Sequence, residues 1–415
     1  MDGNVNELKS RCFISTNSEG DDFVGIRADS SGAYIYFPQG YHLAENDLDI
    51  RQDINNLLSV LCDFLKEELV LEAPNKITEK SVIFPIHAYM YVARDFLTRG
   101  SYYIEKEQHY NVSNKGKIVW SKTLKNRKGL LQQNGSLVFS DFIVKENQPN
   151  FNKAITQINR FCVYEAFSKI GWLYVPFMPE ACFVHPSLKE SISIIRKKIL
   201  QTFNDDDRRL FNSMLSILLF LDRGSSDKTM YYGTTHFDKI WEKMIDQAFG
   251  IKGKDAFFPH AYWLLDNGDS KLKAPLQPDS IMIYKDKIYV IDAKYYRYGC
   301  TGNPEHLPNS SDINKQITYG EYIETKKNIS NDSLYNCFIM PFDKRNNIFG
   351  LDSNIGNVAE AFGEWRDRGH CFKNYERIQG IVMDTRFLMH NYMISSSKYK
   401  ELLIASINKI HSRKN

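Results

Sequence analysis

Several features are absent from the 415-residue sequence, and each absence excludes a class of protein. The seven cysteines are odd in number and are never spaced as C-x-x-C, which argues against a zinc site and predicts reduced thiols. The longest apolar stretch, residues 214–221, is far too short to span a bilayer. The first ten residues have neither the apolar core nor the basic start of a signal peptide. We therefore expect a cytoplasmic protein with no membrane partner.

The chain also lacks a strong charge bias and the G-x-x-x-x-G-K-[ST] loop of P-loop nucleotide-hydrolysing motors. A net charge of +3 permits a nucleic-acid partner only through a local basic patch. With 43% hydrophobic and 25% charged residues, the composition is that of a globular protein long enough for two or three domains. Any chemistry must therefore be found in local motifs.

The most informative stretch is residues 278–298, QPDSIMIYKDKIYVIDAKYYRYG with its flanking residues. Its two apolar runs, residues 281–284 and 288–291, are separated by a polar trio, which predicts a two-stranded hairpin. Charged residues then interrupt the second strand, directly after four apolar residues and before two tyrosines. This surrounding sequence indicates a buried setting for the charges.

Three of these charged residues are predicted to meet at one end of the hairpin. Asp292 and Lys294 are two residues apart in a strand, so their side chains share a face while Ala293 faces the other way. Asp279 begins the first strand, and hairpin pairing would bring it near Asp292. Two close carboxylates repel each other unless a divalent cation lies between them, and oxygen ligands suit Mg²⁺ or Mn²⁺. The alternative is an exposed salt bridge at the hairpin end.

A helix upstream offers a further acid. Residues 237–249 have apolar side chains at helical spacing, and Thr235 with Asp238 resembles a capping box. Glu242 lies at the edge of the apolar stripe, where it could face the metal site. Asp238 is the alternative acid for this role. Glu242 could also be an ordinary solvated glutamate on the helix surface with no role in a site.

Two other sets of residues are candidates for binding DNA. Gln316 and Tyr319 share one face of a helix that Ser310 or Ser311 is predicted to cap, although such residues are more often packing and surface residues. A run without acids, KGKIVWSKTLKNRKG, could bind phosphates or an acidic protein pore, and the alternative is a solvated hairpin. Its basic residues are Lys115, Lys117, Lys122, Lys125, Arg127 and Lys128.

The order of the predicted elements divides the chain into three parts. Residues 1–75 are predicted to form a small β-rich unit with one helix, and residues 76–225 a middle region of extended segments followed by helices. Residues 226–415, after a polar linker at 223–228, are predicted to form an α/β core around a mixed sheet. Helices are predicted at residues 154–170, 187–203 and 398–410, and strands at residues 261–265, 334–342 and 378–383.

Pro278-Asp279, followed by a strand and Asp292-Ala293-Lys294, resembles the motif of the PD-(D/E)XK nuclease superfamily. More narrowly, the chain resembles the LlaJI group of restriction endonucleases, which are similar to McrC, the nuclease subunit of the McrBC restriction system. The stretches that carry this resemblance are AYIYFPQGY, GKIVWSKTL, FDKIWEKM, PD with IDAKYY, and LPNSSDINKQITYGEY.

The resemblance implies an α/β fold with a C-terminal PD-(D/E)XK nuclease core, preceded by a β-rich and helical N-terminal region. It implies hydrolysis of double-stranded DNA with Mg²⁺, or with Mn²⁺, held by Asp279, Asp292, the carbonyl of Ala293 and Glu242. Lys294 would orient the attacking water or help to deprotonate it. A partner motor of the AAA+ class, which uses GTP in McrBC, would drive cleavage and contact the middle region.

Two other interpretations stay open at this stage. The chain could be a self-sufficient type II restriction endonuclease whose residues 1–225 recognise a DNA sequence directly. It could also be a non-catalytic adaptor that docks DNA or stimulates a motor, although the complete set of Asp279, Asp292 and Lys294 argues against that.

Overall fold

The computed structural model describes residues 8–29, 32–64, 82–83, 85–181, 187–222, 230–363 and 373–409. The predicted linker at residues 223–228 lies outside these ranges. The chain forms two compact units, the first from residues 1–83 and 229–415 and the second from residues 84–228. The N-terminal segment therefore belongs to the same unit as the C-terminal region, whereas the sequence suggested a boundary at residue 75.

Helices and strands alternate along most of the described chain. The helices are α1 (Asp47–Phe64), α2 (Ile86–Arg99), α3 (Trp120–Asn126), α4 (Ala154–Ile170), α5 (Leu188–Gln201), α6 (Asp205–Asp222), α7 (Phe237–Phe249), α8 (Tyr298–Thr301), α9 (Ser310–Lys327), α10 (Thr385–Asn391) and α11 (Ser397–Ile407). The strands are β1 (Cys12–Ile14), β2 (Val24–Asp29), β3 (Gly32–Phe37), β4 (Val82–Ile83), β5 (Glu105–Ser113), β6 (Lys117–Ile118), β7 (Leu130–Leu131), β8 (Leu137–Val138), β9 (Phe142–Asn150), β10 (Met230–Thr234), β11 (Tyr262–Leu264), β12 (Ser270–Leu272), β13 (Ser280–Tyr284), β14 (Lys287–Ala293), β15 (Leu334–Phe342), β16 (Ile355–Ala361) and β17 (Ile378–Asp384).

The first unit is built around a five-stranded mixed sheet in the order β13-β14-β15-β17-β16. Strands β14, β15 and β17 run parallel, and the two outer strands pair antiparallel to them. The three parallel strands are buried along most of their length because helices α7, α9 and α11 pack against the sheet. The α/β fold with a mixed central sheet that the sequence predicted is confirmed.

The strand bounds predicted from the sequence agree with the structure for some elements and not for others. Strand β15 has the predicted bounds, and β17 extends one residue beyond the prediction. The strand predicted at residues 261–265 is present as β11, but it pairs only with β12 in a separate hairpin and not with the central sheet. Gly268, with a φ of 84°, lets the chain reverse there, and the apolar side chains of β11 stay exposed. Strand β16 and helix α10 were not predicted.

A second sheet of the same unit joins the N-terminal segment to residues that follow the middle unit. Its order is β1-β3-β2-β10-β4, and β10 pairs antiparallel with β2. Gly25 and Gly233 face each other in this ladder. A Cβ on Gly233 would lie 2.2 Å from the Val24 carbonyl oxygen, and Gly25 has a φ of +145°. Only glycine allows the two strands to approach this closely.

The second unit contains a long hairpin and four longer helices. Strands β5 and β9 pair antiparallel over nine residues each, and β6 adds a third, short strand. Helix α4 has the predicted bounds, whereas α2 precedes the extended segments and was missed. Asn204 starts helix α6 by accepting a hydrogen bond from the Asp207 amide at 2.9 Å. No helix in the described ranges has both the length and the apolar character needed to cross a membrane.

A buried carboxylate ties helix α1 to helix α10 in the first unit. Asp53 is fully buried, and its Oδ1 lies 2.9 Å from Nε of Arg386 and 3.1 Å from Nε2 of His390. Burial acts to raise the pKa of Asp53, but the hydrogen bonds from His390 and Arg386 outweigh burial and lower it. The ionised carboxylate therefore anchors the N-terminal helix to the end of the central sheet.

We expect Asp53→Ala to lower the free energy of unfolding by about 3–5 kcal/mol, because it removes the buried partner of a guanidinium. Denaturant titration at pH 7 measures this loss. Gln52→Ala, an exposed position on the same helix, should change stability by less than about 0.5 kcal/mol. Equal losses in the two variants would contradict a stabilising role for the Asp53 cluster.

Candidate active site

A two-residue turn sets the register of the hairpin that carries the candidate site. Lys285 and Asp286 have φ angles of 47° and 62°, the left-handed pair typical of a type I′ turn. The ladder pairs Tyr284 with Lys287 and Ser280 with Ile291. Continued by one residue, this register places Asp279 opposite Asp292.

The structure brings Asp279, Asp292 and Lys294 together at the end of β14. The Lys294 ammonium nitrogen lies 2.8 Å from Oδ2 of Asp292, whose residue is only 2% exposed. The Ala293 amide donates a hydrogen bond to Oδ2 of Asp279 at 2.7 Å. The predicted shared face of Asp292 and Lys294 is therefore present, in a buried setting and not at a frayed edge.

Sequence reasoning missed Asp312, a second aspartate at Lys294. Its Oδ1 lies 2.9 Å from the Lys294 ammonium nitrogen, and its Oδ2 accepts hydrogen bonds from the Asn309 amide and the Tyr296 hydroxyl. Asn309 and Asp312 form a capping box at the start of α9, so the expected cap at Ser310 or Ser311 was wrong. The spacing Asn309-x-x-Asp312 was the signal available in the sequence.

The two aspartates determine the charge of the lysine. Burial acts to lower the pKa of Lys294, but the charges and hydrogen bonds of Asp292 and Asp312 outweigh burial and raise it. The amine therefore stays protonated at neutral pH. In this state it can orient a water molecule or stabilise negative charge, but it cannot accept a proton.

The acids of the site carry more negative charge than the lysine balances. Burial raises the pKa of Asp279 to about 8, and the nearby charges of Asp292 and Glu242 contribute to the increase. Burial also raises the pKa of Glu242, with further contributions from Asp238 and Asp292. Such raised carboxyl pKa values, caused by burial among like charges, are typical of functional sites.

The structure separates the two helix acids that the sequence left open. Glu242 is partly buried on α7 and interacts electrostatically with Asp292 and Lys294. The Asp238 side chain is 51% exposed, and its Oδ1 lies 3.9 Å from Nδ1 of His236. The N-cap residue is His236, whose side chain accepts no capping hydrogen bond, so the predicted capping box of Thr235 and Asp238 was wrong. Helix α7 is held to the sheet by Trp241, whose indole N–H donates to the Ile339 carbonyl at 3.2 Å. The position of Glu242 is therefore the one that faces the site.

Gln316 and Tyr319, the predicted phosphate contacts, are both fully buried on α9. The Gln316 side-chain amide donates to the Val290 carbonyl at 3.0 Å, and Tyr319 packs in the core with Ile281 and Val290. These contacts favour a packing role, so DNA binding by either residue stays a prediction. Lys315 on the same helix is only partly buried. Burial raises the pKa of Glu242 overall, and the charge of Lys315 acts in the opposite direction. Lys315 is therefore better placed than Gln316 or Tyr319 to act on the charge of the site, and the sequence analysis did not identify it.

The basic run of the second unit is not a plain hairpin. It contributes β6 and the short helix α3, and Lys122 packs over the Tyr110 ring at 3.2 Å from the ring centroid. Arg127 lies 3.6 Å from Asp141, while the remaining cations, Lys115, Lys117, Lys125 and Lys128, are exposed. Four cations therefore stay available to a partner, and their function stays a prediction.

The site is thus a buried pair of aspartates at the end of a core strand, with a lysine two residues after the second aspartate. The chain belongs to the LlaJI restriction endonuclease family, which matches residues 23–359. The type II restriction enzyme BsuMI component YdjA of Bacillus subtilis (strain 168) is 24% identical over 388 residues, covering 86% of this chain and 80% of that protein. A solved half-complex from a tetradecameric assembly of Thermococcus gammatolerans McrB AAA+ hexamers with bound McrC matches 93% of this chain and 82% of that chain, at 14% identity and a TM-score of 0.39.

The raised pKa of Asp279 predicts a pH-dependent gain in stability for Asp279→Asn. The carboxyl ionises near pH 4 in an unfolded chain but only near pH 8 in the folded one. The folded state therefore binds an extra proton between these values, and its stability falls as the pH rises through them. In EDTA, the melting temperature of Asp279→Asn should exceed that of the wild type by an amount that grows up to about pH 8 and is then constant.

Thermal unfolding in EDTA at pH 5.5 and pH 8.5 measures this difference, for which we expect at least about 2 °C at the higher pH. Asp286→Asn, in the exposed turn of the same hairpin, is the matched control and should give no pH-dependent difference. A melting temperature of Asp279→Asn that is below the wild type at pH 8.5 would show that the ionised carboxylate stabilises the fold.

Proposed function

We propose that this protein is the nuclease subunit of a restriction system and hydrolyses phosphodiester bonds of double-stranded DNA. The observation that carries the proposal is the cluster of Asp279, Asp292 and Lys294 at the end of β14, in a chain of a restriction endonuclease family. A structural salt bridge alone would not require a second carboxyl beside the pair with its pKa raised to about 8.

The donor set fits a hard divalent cation, Mg²⁺ or Mn²⁺. Asp279, Asp292 and the Ala293 carbonyl would hold it, and Glu242 would add a carboxylate from α7. Burial raises the pKa of Asp279 and Glu242, and the neighbouring carboxylates raise it further; a bound cation would neutralise this excess negative charge. When bound, such a cation neutralises the charge that develops on the phosphate during hydrolysis.

Lys294 has a defined part in this proposal. Its ammonium group is fixed between Asp292 and Asp312, at 2.8 Å and 2.9 Å, so it presents its remaining N–H in one direction. We assign it to orienting the attacking water and stabilising negative charge on the phosphate, because its ammonium group is held between two carboxylates that raise its pKa. Asp312 is then a positioning residue that acts through Lys294.

A partner motor of the AAA+ class is the second part of the proposal. The resemblance of the sequence motifs to McrC supports it, as does the description of the Bacillus subtilis relative as a component of a restriction enzyme. The second unit offers a contact surface that is both apolar and basic: Leu131 is 74% exposed, Leu124 60% and Trp120 53%, close in sequence to Lys125 and Lys128. An exposed apolar surface of this kind is typical of protein–protein contacts.

Asp292→Ala and Lys294→Ala should each lower the rate of DNA cleavage by at least about a thousandfold, because each removes part of the charged site. Cleavage of plasmid DNA with the partner motor, GTP and Mg²⁺ measures the rate. EDTA should abolish cleavage, and Mn²⁺ should restore it.

Lys326→Ala is the matched control, since Glu324-Thr325-Lys326 has the same acid-x-lysine form outside the site and Lys326 is exposed. It should cut like the wild type. Circular dichroism and partner binding should be unchanged in all three variants. An Asp292→Ala protein that still cuts DNA would refute the assignment of the site.

Cleavage should depend on the partner. The purified chain with Mg²⁺ and DNA should give no discrete fragments, and addition of the AAA+ protein encoded by a neighbouring reading frame, with GTP, should produce them. Discrete fragments from the chain alone would favour a self-sufficient type II enzyme. A wild-type chain that stimulates the motor's GTPase but never cuts would favour a non-catalytic adaptor.

A further inference from the structure

A second group of potential metal ligands lies in the first unit, away from the acids of the candidate active site. The ligand atoms of His42, Asp343 and Asp384 all lie within 4.8 Å of one another, and in the described part of the chain this is the one such trio of histidine, cysteine or acidic residues. Nδ1 of His42 is 3.2 Å from Oδ1 of Asp343 and 3.6 Å from Oδ2 of Asp384.

These separations match two ligands of one cation. With metal–ligand bonds of about 2.1 Å and tetrahedral angles, neighbouring ligand atoms are about 3.4 Å apart. The buried Nδ1 of His42 points at two carboxylates and is close enough to Asp343 to share a hydrogen bond with it. A neutral imidazole nitrogen with its lone pair toward these oxygens would be repelled, so a proton or a metal ion must lie between them.

The two aspartates are already fixed in place by the backbone. Asp384 caps α10: its Oδ1 accepts a hydrogen bond from the Phe387 amide at 2.7 Å, and its Oδ2 from the Lys344 amide at 2.9 Å. Oδ1 of Asp343 accepts from the Arg345 amide at 2.8 Å. Hydrogen bonds that hold carboxylates in one orientation are typical of metal ligands, since they reduce the reorganisation needed for binding.

A cavity of about 280 Å³ lies beside the trio and is lined by Asp343, Tyr41, Gly40 and Arg297, among others. It provides a path by which a hydrated cation could reach the ligands. It also leaves room for the water molecules that would complete the coordination of an ion held by three side chains.

We propose that His42, Asp343 and Asp384 bind a second divalent cation of the Mn²⁺ or Zn²⁺ class. The imidazole ligand favours these ions over Mg²⁺, which prefers an all-oxygen set. The ion fastens the loop after β3 to the ends of β15 and β17. The same loop holds the strand of the candidate active site: the Gln39 amide donates to the Tyr295 hydroxyl, and the Gln39 side chain donates to the Tyr295 carbonyl, both at 2.9 Å. The cation would therefore brace the loop that contacts Tyr295, the residue after Lys294.

The test uses the full chain with Asp279→Asn and Asp292→Asn, so that the candidate active site cannot dominate metal binding. Mn²⁺ is titrated into EDTA-treated, dialysed protein at pH 7.5, and free Mn²⁺ is followed by electron paramagnetic resonance. Thiols bind Mn²⁺ weakly, so the cysteines do not interfere. We expect one bound Mn²⁺ per chain, displaced by Zn²⁺, together with a rise in melting temperature.

Addition of His42→Gln should weaken Mn²⁺ binding at least about tenfold and remove the rise in melting temperature. His260→Gln, at an exposed histidine, should change neither. If His42→Gln fails to fold by circular dichroism, Asp343→Asn replaces it with the same expected result. The proposal is overturned if the chain with Asp279→Asn and Asp292→Asn binds no Mn²⁺. It is also overturned if adding His42→Gln or Asp343→Asn leaves the affinity for Mn²⁺ unchanged. A hydrogen bond between His42 and Asp343 would then account for the cluster, and the proposed nuclease function would be tested separately.

Discussion

The repulsion between two carboxylates, Asp279 and Asp292, is the constraint around which the first unit is arranged. A tight turn and a buried ladder hold the two residues opposite each other, so the chain cannot relieve the repulsion by letting them move apart. The Ala293 amide and the Lys294 ammonium group offset only part of the charge. Burial and the remaining negative charge together raise the pKa of Asp279 to about 8.

The ends of the parallel strands explain why polar groups gather where they do. Strands β14, β15 and β17 run in the same direction, so residues that follow each of them emerge at one edge of the sheet. Lys294 follows β14, Asp343 follows β15, and Asp384 ends β17. The Lys294 amide is itself bonded to the Ile339 carbonyl of β15 at 2.9 Å. One sheet edge therefore supports both the candidate active site and the histidine–aspartate cluster, with the loop at Gln39 between them.

The sequence predicted best where local pattern and tertiary structure agree. The hairpin, α4 and β15 were predictable because their apolar periodicity and turn residues act over fewer than twenty residues. The meeting of Asp279 with Asp292 followed from the same short-range pairing. The spacing Asn309-x-x-Asp312 signals a helix cap but not the contact of Asp312 with Lys294, because that contact depends on how the helix packs on the sheet. The His42 cluster was not predictable, because it depends on which strands become neighbours across a long stretch of chain. The buried state of Tyr319 was missed for the same reason: helical spacing alone does not tell which face packs on the sheet.

The pairing of β10 with β2 has a consequence for how the protein is made on the ribosome. Strand β2 stays without its second neighbour until β10 has been translated, because the whole of the second unit is encoded between them. That interval of about 200 residues corresponds to roughly 10–40 s at ordinary elongation rates of about 5–20 residues per second. During this time the nascent chain presents an open strand edge of the kind that invites intermolecular pairing. Slow translation of the middle segment, or a lack of chaperones that bind the nascent chain, would therefore lower the yield of active protein without changing a single residue of the site.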